Sequence, residues 1–255
     1  MSRNGSFRVL GVPVDAVQMP DAVERMHRWV RAQSGPHIVA VTGMHGVVEA
    51  RPGTKARVAL EDADLVVPDG MSLVWLGRLH GHRLPRRVYG PELMEEFCRI
   101  SAGLGYRHYF YGGAEGVAED LSRRLRERFP GMQVAGWYSP PFRELSEEER
   151  QDVCERINET RPDVLWVGLS TPKQELWMHR NRGLLRVPVM VGVGAAFDFH
   201  TGRVRQAPRW MRESGLEWSW RLMQEPRRLW RRYLLGGARF VWGVALELSG
   251  LRRNE

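Results

Sequence analysis

Along the first two hundred residues, short runs of apolar positions alternate with longer stretches in which apolar residues recur every three or four positions. The runs at 7–10, 37–41, 65–67, 108–111, 133–136, 164–167 and 187–191 predict strands. Those at 164–167 and 187–191 are apolar throughout, the mark of a strand covered on both faces. Helices are predicted at 21–33, 45–50, 71–78, 91–104, 115–129, 146–159 and 172–182. Ser146 followed by Glu149 is a capping-box start, and Val117, Leu121 and Leu125 fall on one helical face. Strand and helix in alternation predict an α/β fold: a parallel-sheet, Rossmann-like core with helices on both faces.

The clearest unit runs over 163–198. Two buried strands each end in a loop with polar backbone: Gly168-Leu169-Ser170-Thr171-Pro172 after the first, Gly192-Val193-Gly194 after the second. Pro172 suits the first turn of the helix between them. Loops at the carboxyl ends of parallel strands are where doubly wound sheets bind ligands, so a ligand carrying phosphates is the first expectation.

After Gly202 the strand pattern stops. Short helices are predicted at 210–221, 226–235 and 238–248, separated at Pro226 and Gly236-Gly237. The expected organisation is a core over 1–202 and a basic, Trp-rich helical appendage over 203–255. Of the net charge of +8, +7 falls from Thr201 onward, with five of the ten tryptophans. Such a segment can be an ordinary amphipathic subdomain, a contact with an anionic membrane surface, or a cover for an anionic ligand.

The 255 residues suffice for one large α/β domain and its appendage. Cys98 and Cys154 lie far apart in predicted helices and read as buried free thiols, with no zinc spacing. The amino-terminal segment lacks the apolar centre of a secretory signal, and no run of 18 apolar residues occurs. The expected location is the cytoplasm, peripheral on the inner face of the plasma membrane.

Candidate chemistry starts at Pro68-Asp69-Gly70, just past a strand. Asp-Gly there can simply make the turn, or Asp69 can face the crevice as a general base. Asp62 and Asp64 form a D-x-D pattern that some sugar transferases use for a metal, but they precede the strand, at the wrong end for a ligand. They read as helix-end and loop residues, and no metal site is expected. Tyr111-Gly112-Gly113 is a strand followed by a glycine loop. Gly112 and Gly113 can present amides to a phosphate, or make a tight turn. Gln174 can cap its helix or read a ligand's polar groups.

Taken in order, these residues carry a resemblance. Val41-Thr42, Pro68-Asp69-Gly70, Arg87-Val88 with Gly90, Tyr111-Gly112-Gly113, Gly168 with Pro172-Lys173-Gln174-Glu175, the run from Gly192 to Asp198, and Gly215-Leu216-Glu217-Trp218 occur along nearly the whole chain. The set resembles the WecG/TagA/CpsF family, glycosyltransferase family 26. The resemblance implies an inverting, metal-independent enzyme without a cofactor. It would move a sugar, N-acetylmannosamine by family default, from a UDP-sugar donor to a polyprenyl-diphosphate-linked saccharide in bacterial cell-surface polysaccharide synthesis. UDP-glucuronic acid or UDP-glucose in exopolysaccharide assembly is the alternative donor.

The family's catalytic aspartate falls on Asp69 and its site threonine on Thr42. The appendage arginines fall on Arg221, Arg228 and Arg231, where they would bind the diphosphate. Arg87, Gly112, Gly113, Gln174 and Gly194 complete the expected ligand contacts, Arg87 with a structural ion pair as its other reading. Met44 departs from the family pattern, which favours asparagine at that position. Arg227, Arg232, Arg239, Arg252 and Arg253, with Trp230, Trp242, Leu234 and Leu235, are the expected membrane contacts, and a homo-oligomer is possible. Two other classes compete. A nucleotide-sugar oxidoreductase or epimerase needs a glycine fingerprint that Gly11-Val12-Pro13-Val14-Asp15 lacks. A non-enzymatic module binding nucleic acid or membrane would use the Arg/Trp tail, but the near-neutral body continues no groove for nucleic acid. No nucleic-acid partner is expected.

Overall fold

The computed structural model describes residues 5–250. A hairpin of β1 (Ser6–Val9) and β2 (Val12–Asp15) leads into a six-stranded sheet. Its strands are β3 (His37–Thr42), β4 (Leu65–Pro68), β5 (Arg107–Gly112), β6 (Gln133–Tyr138), β7 (Val164–Gly168) and β8 (Val189–Gly192). They lie side by side in the order β4-β3-β8-β7-β5-β6, with every neighbouring pair parallel. The α/β parallel-sheet expectation therefore holds.

Alternate residues of each strand enter two separate cores. Ile38, Ala40, Val66, Leu165, Val167 and Met190 join one face with Leu60, Leu73, Ile157 and Met178. Val39, Val41, Leu65, Val67, Trp166 and Val191 join the other with Met26, Phe97, Leu121 and Phe197. The helices on the first face include Met44–Glu49, Lys55–Asp62, Met71–Leu79, Glu147–Glu159 and Lys173–Asn181. Those on the second include Met19–Arg31, Gly90–Leu104, Val117–Arg128 and Ala196–His200. Cys98 and Cys154 are free and buried, one in each core.

Three features depart from the sequence expectation. The hairpin was not foreseen, because Leu10 (φ 50°) and Gly11 (φ 79°) both adopt the left-handed conformation, and a leucine gives no warning of such a turn. Helix Lys55–Asp62 was also missed; Thr54 caps it, accepting a hydrogen bond from the Arg57 amide at 3.2 Å. In the carboxyl-terminal segment the expected helix 210–221 is two, Arg209–Glu213 and Glu217–Gln224, divided at Gly215 (φ 78°). Gly236-Gly237, expected as a break, stays helical: Pro226–Trp230 passes through a π-helical turn at Arg231–Leu235 into Gly236–Leu248.

That last helix is attached to the sheet structure at both ends of its length. Phe240 is buried in the first core, and Glu247 Oε2 accepts a hydrogen bond from the Leu10 amide at 2.9 Å. Asp62 and Asp64 lie at the amino ends of the strands. Asp62 pairs with His179 and Arg182, each at 3.0 Å, and Asp64 pairs with Arg182 at 2.9 Å while accepting the Ile38 amide. They brace the helix Lys173–Asn181 against the sheet, in agreement with the structural reading.

Candidate active site

Four of the six strands, β4, β3, β8 and β7, end beneath one cavity of about 830 Å³. The loops after them supply Gly43 to Gly46, Asp69 to Ser72, Ser170 with Thr171 and Gln174, and Val193 to Ala196. The carboxyl-terminal helices roof it with Glu217, Trp218, Arg221, Arg228, Arg232 and an apolar wall of Leu234, Phe240, Val241, Val244 and Leu248. The roof thus brings both cationic and apolar side chains to the cavity.

Asp69 follows β4 directly. Its amide donates to the Thr42 carbonyl at 2.9 Å, which ties the ends of β4 and β3 together. The Gly90 amide, at the start of a 15-residue helix, donates to Asp69 Oδ1 at 3.2 Å. Burial pushes the Asp69 carboxyl above the usual carboxylate range, against the opposing pull of the Arg87 guanidinium and with the help of the Glu217 charge. A carboxylate made more basic, yet held by one amide and open to a cavity, has the properties of a general base.

Arg87 is itself held on two sides. Its Nη1 donates to the Asp69 carbonyl at 3.1 Å and its Nη2 to Glu217 Oε2 at 2.5 Å, and its guanidinium lies 4.1 Å from the Tyr89 ring centre. Arg87 lines the cavity and forms the structural ion pair of its second reading.

Gln174 is fully buried but reaches the cavity wall. Its Oε1 accepts from the Gly194 amide at 2.8 Å, and its Nε2 donates to Glu175 Oε1 at 3.0 Å. Thr171 donates to the same Glu175 oxygen at 2.9 Å. Glu175 is buried, which pushes its carboxyl upward, and its Oε2 has no hydrogen-bond partner among the described residues. His45, also in the wall, is lowered to about 4 by burial and then by the Arg232 charge, so it is neutral at physiological pH.

Thr42 is buried below this floor. Its methyl group lies 3.0 Å from where a Cβ on Gly46 would stand, and its hydroxyl finds no partner. It does not line the cavity, whereas Met44 does. Gly112 and Gly113 also lie outside it, because β5 sits one strand beyond the four that end there. Both are explained by packing: a Cβ on Gly112 would stand 2.5 Å from the Gly168 carbonyl oxygen, and one on Gly113 2.8 Å from Val117.

Of the appendage arginines, Arg221 lies in the cavity, 5.4 Å from the Phe199 ring, with its Nε buried and unpartnered. Arg228 is a cavity residue with an ion pair to Glu225 at 2.6 Å. Arg231 is exposed, stands 5.3 Å over the Trp230 ring and does not line the cavity. Its place is taken by Arg232, which the sequence reading had assigned to the membrane. Arg232 is desolvated, which lowers its pKa, with Arg221 and Arg228 adding repulsion, and its Nε is buried without a partner.

The profile of the Glycosyl transferase WecG/TagA/CpsF family matches residues 7–254. The chain belongs to this family. It is 33% identical over 186 residues to an N-acetylglucosaminyldiphosphoundecaprenol N-acetyl-beta-D-mannosaminyltransferase of Bacillus spizizenii, covering 73% of this chain and 70% of that one. A protein of the same name from Staphylococcus aureus is 27% identical over 231 residues, 90% of this chain and 89% of its own.

For a WecG/TagA/CpsF glycosyltransferase, the side chains that sequence reasoning overlooked are Arg232, Glu217 and Glu175. Arg228 and Arg232 are four apart, a helical spacing visible in the sequence, whereas Arg221 lies on the preceding helix, beyond the break at Glu225. The wider winding of the π turn brings four residues close to one full revolution, which favours Arg232 over Arg231. Glu217 stood within the motif Gly215-Leu216-Glu217-Trp218 without a role, and nothing local signalled that Glu175 is buried.

Proposed function

We propose that this glycosyltransferase moves N-acetylmannosamine from its UDP conjugate to a GlcNAc-diphosphate-polyprenol acceptor, with inversion and without a metal, in the synthesis of a bacterial cell-wall polymer. The observation that carries the reading is that Asp69 lines one cavity together with Arg221, Arg228 and Arg232 and an apolar wall. The acceptor and the sugar follow the names of the relatives. In the reaction, Asp69 takes the proton of the acceptor hydroxyl as that oxygen attacks the anomeric carbon from the face opposite UDP. The bond from that carbon to the UDP oxygen breaks, and UDP leaves with its electron pair. Arg221, Arg228 and Arg232 meet the growing charge on the diphosphate, in a site where such stabilisation is typically the largest catalytic contribution. Gln174, its Oε1 held by the Gly194 amide, lines the cavity where the donor is held, and Arg87 keeps Asp69 in place.

The carboxyl-terminal helices form the appendage of this proposal. Among the described residues no helix is long and apolar enough to cross a membrane. Trp230, Leu234, Leu235, Val241 and Trp242 are exposed on these helices, near Arg227 and Arg239. They suit a peripheral contact with an anionic membrane surface, where a polyprenyl acceptor resides. Arg252 and Arg253 lie outside the described residues.

The test is UDP release from a panel of UDP-sugars with a short-chain prenyl-diphosphate-GlcNAc acceptor in EDTA, for the wild type and Asp69→Asn. Acceptor-dependent turnover of UDP-N-acetylmannosamine, lost in the variant, is the expected outcome. Turnover of UDP-glucose or UDP-glucuronic acid instead overturns the donor assignment, and activity only with added divalent cation overturns the metal-free one.

A further inference from the structure

Among the described residues, Glu217 is the one acidic side chain of the roof that lines the cavity with Asp69. It opens the helix Glu217–Gln224, just after Gly215, whose missing Cβ makes room for Trp75: a Cβ there would stand 2.7 Å from the indole. Docking of this segment on the core therefore delivers a carboxylate to a defined place. There Glu217 Oε2 receives Arg87 Nη2 at 2.5 Å and Oε1 receives the Tyr89 hydroxyl at 3.2 Å. Glu217 and Arg87 are 13% and 12% exposed, so this pair is largely shielded from solvent and its charges are screened less than those of a surface pair.

Arg87 is the link. Through Nη1 it holds the Asp69 carbonyl, and through its charge it favours the ionised form of the Asp69 carboxyl. Without Glu217 that cation would be uncompensated and Asp69 would be a weaker base. The charged or titratable groups acting on Asp69 are Arg87 and Tyr89 from the core, and Glu217, Arg221 and Arg232 from the roof. Glu217 is the only anion in that set.

We propose that Glu217 is a positioning residue that couples the seating of the carboxyl-terminal helices to the charge balance at Asp69, acting through Arg87. The proposal rests on Asp69 being the base. Its consequence is that Asp69 is a competent base only when the roof, which also brings the diphosphate-binding arginines, is in place.

The test measures the Asp69 midpoint in two ways: the acidic limb of kcat against pH, and carbon-13 titration of the Asp69 carboxyl in the free protein, assigned by its absence in Asp69→Asn. Glu217→Gln, which retains hydrogen-bonding capacity but removes the charge, should lower the midpoint by roughly one pH unit. Arg87→Gln should raise it. Glu213→Gln, which breaks another core-to-roof ion pair (Arg86 to Glu213, 2.6 Å), should leave it unmoved. A Glu217→Gln midpoint equal to wild type overturns the coupling, as does an equal shift in Glu213→Gln, which would make docking alone the cause. Should Glu217→Gln fail to fold, the double variant Arg87→Gln/Glu217→Gln removes both halves of the pair. Because Glu217 acts through Arg87, the midpoint of the double variant must then equal that of Arg87→Gln, and a further fall overturns the coupling through Arg87. The carbon-13 arm separates the two readings: the expected shifts with no sugar transfer overturn the proposed reaction alone, and transfer without shifts overturns the coupling alone.

Discussion

Replacing Arg232 by methionine should move stability and ligand affinity in opposite directions. In the free protein Arg232 is a desolvated cation with no ion-pair partner among the described residues, an unpartnered Nε, and two further arginines close enough to depress its pKa. Removing a poorly compensated buried charge in favour of an apolar side chain of similar length typically gains about 1 kcal/mol or more. For a chain of this size that corresponds to a melting temperature higher by about 2–4 °C. In the proposed reaction the same guanidinium would make charge-assisted hydrogen bonds to the UDP diphosphate, each worth about 1.5–3 kcal/mol. Its loss should therefore weaken UDP binding by about 10- to 150-fold. Arg231→Met, a change at an exposed side chain, should leave both quantities near wild type. The assays are thermal denaturation without ligand and calorimetric titration with UDP, both at one ionic strength because screening alters the second. If Arg231→Met loses UDP affinity while Arg232→Met keeps it, the assignment of the third diphosphate arginine from the cavity geometry is wrong.

Four further outcomes follow from the same geometry. Asp69→Asn should reduce turnover by about 100- to 10,000-fold while UDP still binds, measured by stopped UDP release and by calorimetry. Because burial raises the Asp69 carboxyl, wild-type activity should fall with decreasing pH along a limb above 3.8, the ordinary value, and that limb should be absent from any residual Asp69→Asn activity. Glu175 is likewise raised by burial: it keeps its proton longer in the folded chain, so its contribution to stability is full below about 4.5 and is lost as pH rises through the folded value. Glu175→Gln keeps an acceptor for Thr171 and Gln174 and should melt above wild type at pH 8, the two converging near pH 4; parallel curves across that range refute the reasoning. Gly113→Ala forces a side chain onto φ 73° and against Val117, so it should lower the melting temperature and leave the UDP dissociation constant of the folded protein unchanged. A loss of UDP affinity at unchanged stability would instead restore the phosphate-loop reading of Gly112-Gly113.

How far the chain could be read depended on whether a feature is local. Strands covered on both faces announce themselves as unbroken apolar runs, and the order of alternating helices then leaves few sheet topologies, which is why the parallel core was legible from residue 37 to 192. Asp69 was legible for the same reason: it is the first residue after such a run, and parallel strands deliver that position to one edge of the sheet. Gly112-Gly113 has the same local form, a glycine turn after a strand, but lies beneath no cavity, because the order of strands puts β7 between β5 and the centre of the site. Strand order is set by long-range packing and is not written in the turn. The arginines repeat the lesson along a helix. Arg231 and Arg232 are equivalent in composition and differ only in phase, and a single π turn decides which of them meets the cavity. Glu217 was out of reach for a further reason, since it acquires its role from a partner distant in sequence: Arg87 lies 130 residues away. Glu175 bonds to its neighbours Thr171 and Gln174, but its burial is set by packing that the local sequence does not announce. The charges that tune Asp69 come both from Arg87 in the core and from Glu217 and Arg221 in the segment that roofs the cavity, so the site is completed by folding across the whole chain, and a truncation before Gly215 should leave a core that retains its sheet yet lacks both the proposed diphosphate clamp and the carboxylate that balances Arg87.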